Sequence, residues 1–139
     1  MELNEIINEF MQRIVISAYK SPLDGIRSLL INGPIETKPR VDDIQLFEWY
    51  KNLSDTDKAM VEVVMKETAH RVLFGALVII DNLAMGYPIK GTPSDFALYV
   101  QSYPDDASRL NNEPKDTIRI NHPKNNFSLH DLLFEFIKK

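Results

Sequence analysis

Cysteine is missing from the chain, which excludes disulfides, thiolate nucleophiles and thiolate metal sites. A chain without cysteine fits a reducing compartment, and the cytoplasm is the expected location. The opening residues MELNEIINEFMQRIV place acids early and carry no basic stretch, unlike a secretory signal peptide. Glycine is scarce, with 5 in 139 residues, and the glycines are scattered. There is no Walker A loop, no Gly-x-Gly-x-x-Gly fingerprint, no Gly-x-Ser-x-Gly elbow and no His-Glu-x-x-His pair. Neither a cofactor nor a metal is therefore expected. The run LFGALVII is too short to cross a bilayer and ends at Arg71 and Asp81, so no membrane association is expected. Basic excess is lacking too. The net charge is −4, and residues 54–86 hold 3 basic against 5 acidic groups while residues 87–139 hold 7 of each. No basic stripe exists to neutralise phosphates along a duplex, which argues against nucleic acid as a partner.

What is present is an ordinary globular composition, 44% hydrophobic and 26% charged. The length suits one domain, residues 1–139, able to bury a core without staples. The chain is organised around Ser54 to Gly86, which reads as one long helix. Ser54 is its N-cap and Asp57 the acidic half of a capping box, with Asp55 and Asp57 against the positive end of the helix dipole. Gly86 suits a left-handed C-terminal position, and Pro88 stops any continuation. From Val72 to Ile80 only Gly75 is not apolar, so this half is expected to be enclosed as a core helix, with Gly75 admitting a close backbone approach.

Ahead of it, Leu3, Ile6, Ile7, Phe10, Met11, Ile14 and Val15 recur at helical spacing, predicting a helix from Leu3 to Tyr19. Ser21-Pro22 reads as a cap followed by a first-turn proline, opening a second helix that Gly25 weakens and Asn32-Gly33-Pro34 ends. A third helix is expected over Asp42 to Leu53, with Ile44, Phe47, Trp49 and Tyr50 as its bulky contacts.

Behind it the period changes. Asp95 to Ser102 alternates, with Phe96, Leu98 and Val100 on one face. Asp116 to Asn121 does likewise, with Ile118 and Ile120 opposing Thr117 and Arg119. Both read as half-buried strands. Asn125-Asn126 makes a turn, and Ser128, with Asp131 as its box partner, opens a closing helix carrying Leu129, Leu132, Leu133, Phe136 and Ile137 inward. The expected class is α+β, mostly helical, with N-terminal helices around one long central helix, then a two-stranded antiparallel β pair and a C-terminal helix. A two-stranded sheet is marginal alone, so one face has to lie on helices.

The candidate chemistry is a polar stripe on the central helix: Glu67, His70, Arg71, Asp81 and Asn82. Glu67-x-x-His70 has the spacing of carboxylate-bridged di-iron bundles, but a second such pair is lacking. His70 as a base oriented by Glu67, with Arg71 holding an anion, would make an enzyme or ligand-binding site. A plain ion pair between Glu67 and Arg71, four residues apart, is the structural alternative. Asp81 lies among apolar neighbours and needs a donor, from Arg119, a backbone amide or a ligand, unless it sits at an exposed helix end. His122 and His130 show no ligand spacing and read as surface histidines.

The leading expectation is a small protein-interaction module, an inhibitor or adaptor of the bacterial immunity or antitoxin type. Its partner would be another protein, met through Tyr103, Asp105, Asp106 and Arg109 and the open edges of the β pair. A homodimer is the third possibility. No catalytic residue is assigned; Glu67, His70, Arg71 and Asp81 are the candidates.

Overall fold

A computed structural model describes residues 2–81, 96–104 and 113–138. The elements run α1 (Leu3–Val15), a π-helical turn (Ile16–Lys20), α2 (Ser21–Asn32), α3 (Val41–Lys51), α4 (Asp55–Ile80), β1 (Tyr99–Ser102), β2 (Asp116–Arg119) and α5 (Leu129–Ile137). This is the α+β, mostly helical order expected, with its antiparallel β pair and closing helix. The chain is organised as two compact units, one of Met1–Arg13 with Phe74–Lys139, the other of Ile14–Leu73.

In the helical unit, Ile14–Leu73, the break expected at Ser21 is absent. Ser21 is itself helical and its N–H donates to the Ile16 carbonyl, five residues back. Pro22 explains the widened turn. It lacks an N–H, and its ring crowds the carbonyl four residues earlier, so the backbone opens to π spacing just before it. α2 ends at Gly33, whose φ of 82° is the left-handed conformation that glycine tolerates best, and whose N–H donates to the Leu29 carbonyl at 2.9 Å. A Cβ there would stand in ordinary contact, 3.5 Å from the Phe47 ring of α3, so the positive φ and not the space is what calls for glycine.

Ser54 does cap α4, and Asp57 does face it. The Asp57 N–H donates to Ser54 Oγ at 3.1 Å, and the Ser54 hydroxyl donates to Asp57 Oδ2 at 2.6 Å. The shorter acid takes the cap's hydroxyl where a glutamate would take its backbone N–H. Arg27 of α2 reaches Glu62 of α4, Nε donating to Oε1 at 2.9 Å and to Oε2 at 3.0 Å, with Nη2 also on Oε1. Asp24 takes Nη1 at 2.6 Å, and Lys66 Nζ stands 3.3 Å from Glu62 Oε1. The hydrogen bonds from Arg27 hold the Glu62 carboxyl below its ordinary value, and the same bonds raise Arg27. Lys58 lies over the Tyr50 ring at 5.5 Å, a second tie between α3 and α4.

Contrary to expectation, α3 buries no residue, and Trp49 is 51% exposed. Its apolar positions Val41, Ile44, Leu46 and Trp49 spread around the helix, so no single face can collect them. Val72, expected to be enclosed, is 68% exposed, because α4 turns only the stripe through Leu73 and Leu77 inward. An added Cβ at Gly75 would meet nothing within 4 Å among the described residues, so no described backbone approaches it closely.

In the mixed unit, the strand register pairs Tyr99 with Arg119, Val100 with Ile118, Gln101 with Thr117 and Ser102 with Asp116. Val100 and Ile118 thus share a face, as the alternation predicts. That face meets Ile6 of α1 around a small cavity of about 140 Å³. Ile120 is fully buried and extends the ladder, its N–H donating to the Leu98 carbonyl at 2.9 Å. Phe96 departs from the expected inner face and is exposed, since regular pairing starts only at Tyr99. The core is completed by Ile6, Ile7 and Met11 of α1, by Leu77, and by Leu129, Leu133 and Phe136 of α5. The last three recur at i, i+4 and i+7, one face of a helix.

Candidate functional site

Where α4 ends and α5 begins, helix-end groups that have no partner within their own helices have to be satisfied from outside. Two side chains do this. Asn121, buried just after β2, donates through Nδ2 to the Ile80 carbonyl at 2.5 Å and to the Phe96 carbonyl at 2.9 Å. Its Oδ1 accepts the Leu98 N–H at 2.7 Å and Arg119 Nε at 3.3 Å. All four hydrogen-bonding positions of the amide are used. Arg119 also donates through Nη2 to the Phe96 carbonyl at 3.2 Å.

Asp81, directly after α4, performs the matching task for α5. Its Oδ2 accepts the His130 backbone N–H at 2.9 Å and faces His130 Nδ1 at 2.8 Å. The Asp81 side chain is 6% exposed and that of His130 10%. A carboxylate accepts only, so Nδ1 carries the proton in this pair. On the other side of the ring, Nε2 lies 3.2 Å from Oδ1 of the exposed Asp131. Phe74 meets the imidazole edge-on, with centroids 5.3 Å apart and planes at 83°.

The donor Asp81 needs is thus a backbone amide together with an imidazole. Ser128 occupies the cap position of α5 but makes no side-chain cap bond, and Asp131 turns to His130. The expected Ser128–Asp131 box is replaced by a carboxylate from 49 positions earlier in the chain. An anionic group at a helix N-terminus satisfies the unpaired N–H and opposes the dipole at once. His130, expected on the surface, is buried; His122 is exposed, and its Nδ1 accepts the Lys124 N–H at 3.1 Å. Beside the Asp81–His130 pair lies a cavity of about 330 Å³, lined by Asp81, Asn121, His122, Asn125, Phe127 and Ser128 among others.

The expected cluster on α4 divides. Arg71 Nε and Glu67 Oε2 are 3.4 Å apart, one turn apart on the helix, with side chains 80% and 59% exposed. His70 between them is half-buried. These three belong to the helical unit, whereas Asp81 belongs to the mixed one, committed to His130. Tyr103 is half-buried and donates to Gln101 Oε1 at 3.1 Å. Asp105, Asp106, Arg109, Asn82 and Gly86 lie outside the described residues. Among the described residues no group of three or more His, Cys, Asp or Glu is placed to hold a metal ion, and no helix is long and apolar enough to cross a membrane.

A different kind of site covers the helical unit. Of the sixteen large hydrophobic residues exposed among those described, twelve lie between Ile16 and Val72. α2 presents Ile26 and Ile31, α3 presents Val41, Ile44, Leu46 and Trp49, and Ile35 between them is 90% exposed. A groove of about 560 Å³ runs past Ile26, Leu29, Pro34 and Ile35, with the acids Glu36 and Asp43 at its border. Scattered exposed apolar residues are normal on a protein, but here twelve of the sixteen fall in one unit. In sequence these positions look like helix cores. Only the missing common face of α3 hints that they point outward.

Compared with family models, curated proteins and solved structures, the chain matches none of them.

Proposed function

We propose that the protein is a small interaction module, an inhibitor or adaptor of the bacterial immunity or antitoxin type, that docks another protein on its helical unit. The single observation that carries this reading is the exposure of Val41, Ile44, Leu46 and Trp49 on α3, a helix that contributes no buried residue. Tryptophan is among the residues that carry most of the energy at protein interfaces once a partner desolvates them, and surrounding aliphatic side chains help to exclude water. Trp49 at the C-terminal half of α3 is the anchor, and because the aliphatic residues spread around the helix the partner covers more than one side of it. The segment around Tyr103 and the open edges of the β pair are secondary contact surfaces in the same reading. The enzyme alternative through Glu67, His70 and Arg71 draws less support, because an exposed ion pair one helical turn apart has an ordinary structural role.

The test is paired co-purification from the native source, using tagged wild type and the double variant Ile44→Lys with Trp49→Lys. A protein recovered with the wild type in near-stoichiometric amount and lost with the variant is the expected result. Equal recovery with both, or no associated protein with either, contradicts the proposal. Circular dichroism of the variant should be unchanged, since both residues are exposed.

A further inference from the structure

Gly25 sits inside α2 and on the wall of the apolar groove. In a helix interior glycine is the least favourable residue short of proline. A packing requirement usually explains such a glycine, but here a Cβ would meet nothing within 4 Å, so nothing in the described chain needs the space. The missing side chain leaves the groove open at that point. Gly33, which does have an internal reason for its φ of 82°, lies in the same wall. The groove border carries two carboxylates, Glu36 and Asp43, and no lysine or arginine lines it. Asp43 has Arg40 at 3.9 Å, a loose pairing in which Arg40 is itself three-quarters exposed.

We infer that this groove receives an amphipathic helix of the partner protein, apolar on one face and flanked by lysine or arginine, with its backbone passing closest to Gly25. The inference rests on the interaction reading above and deepens it by naming the partner's chemistry. Aliphatic residues of the incoming helix cover Ile26, Leu29 and Ile35, while its cations answer Glu36 and Asp43. Small residues at a helix contact let two backbones approach. The acidic border selects against partners of the same sign and speeds the encounter.

The experiment titrates the whole protein by calorimetry with two synthetic amphipathic helical peptides, one of leucine and lysine and one of leucine and glutamate, with identical apolar positions. Gly25→Gln is the first variant, and Glu36→Gln with Asp43→Asn is the second. The Leu/Lys peptide should bind saturably and the Leu/Glu peptide should not. Gly25→Gln should raise the thermal midpoint, because glutamine favours the helix, and yet weaken the Leu/Lys peptide by about tenfold or more. The neutral pair of substitutions, which leaves the helix backbone untouched, should weaken the same peptide and flatten its salt dependence. Binding of both peptides equally, of neither, or with full strength to Gly25→Gln overturns the inference. So does self-association of the protein alone that Gly25→Gln abolishes, because the occupant is then a second copy. If co-purification is lost with the α3 variant but retained with Gly25→Gln, the interaction reading stands and the groove assignment falls. Loss with Gly25→Gln alone, under a raised thermal midpoint, places the partner in the groove and removes α3 from the reading.

Discussion

The two units handle their apolar side chains in opposite ways. In the mixed unit, Ile6, Ile7, Met11, Leu77, Ile120, Leu129, Leu133 and Phe136 are buried, and the helix ends near them are closed by Asn121 and Asp81. Of its described large hydrophobics only Ile79, Phe96, Tyr99 and Phe134 are exposed. In the helical unit, Val15, Tyr19, Leu23, Leu30 and Leu73 are buried while twelve others face water. Its ties run across the surface, through the fork from Arg27 to Glu62 and the stacking of Lys58 on Tyr50. One unit spends its apolar residues on its own core. The other buries five of them and leaves twelve facing water.

That contrast orders the effects of substitution. The largest should follow Asn121→Leu. It strands the Ile80 carbonyl and the Leu98 N–H in a part-buried setting, where each unsatisfied group costs about 1–3 kcal/mol, while the Phe96 carbonyl keeps Arg119. A loss of roughly 4 kcal/mol, read as a lower urea midpoint, is the expected outcome. A shift below about 1 kcal/mol would show that water replaces the amide and that the mixed unit is looser than described.

Asp81→Ala comes next. It removes the acceptor of both the His130 N–H and the imidazole, and about 2–3 kcal/mol should be lost. Hydrogen exchange at the first turn of α5 should accelerate by at least tenfold. Replacement of Ser128 by alanine, in contrast, should be nearly silent, because its hydroxyl makes no cap bond. If Ser128→Ala proves the more damaging of the two, the capping assignment is reversed.

Glu62→Gln probes the surface ties of the helical unit. A third of each side chain in the Arg27–Glu62 pair remains in water, so the expected loss is only about 1 kcal/mol. Its pH dependence has a definite sign. The folded carboxyl titrates below its ordinary value of 4.5, so between the two values the unfolded chain binds more protons than the folded one. The contribution is complete above the ordinary value and disappears as pH falls through the lower folded one. The difference between wild type and Glu62→Gln should therefore be flat near neutrality and close under acid. A difference that grows under acid would contradict the assignment.

The smallest effect on stability is expected from Leu46→Gln, within about 0.5 kcal/mol, because the residue already faces water. A large loss would mean that α3 belongs to a core after all.

The sequence made some of this legible and hid the rest for physical reasons. Alternation reports which face of a strand is buried, and it places Val100, Ile118 and Ile120 correctly because a one-residue shift would reverse the face. Ser54 and Gly33 act on backbone groups within four residues, so their roles can be read locally. Asp81 cannot be read that way. Its apolar flanks announce that it needs a donor, but the donor lies on a helix 49 positions later. His130 was hidden similarly, since nothing near it in sequence predicts the carboxylate that buries it. Hydrophobicity also reports that Val41, Ile44, Leu46 and Trp49 avoid water without saying what covers them. The same pattern serves a core and an interface.

The proposed function requires that the exposed side chains of α3 meet a partner. A photo-crosslinking amino acid placed at position 49, in place of Trp49, should yield an adduct with a second protein in the native source. The same group at position 134, in place of the exposed Phe134 of the mixed unit, should yield none. Adducts at 134 and not at 49, or at neither position, would contradict the account.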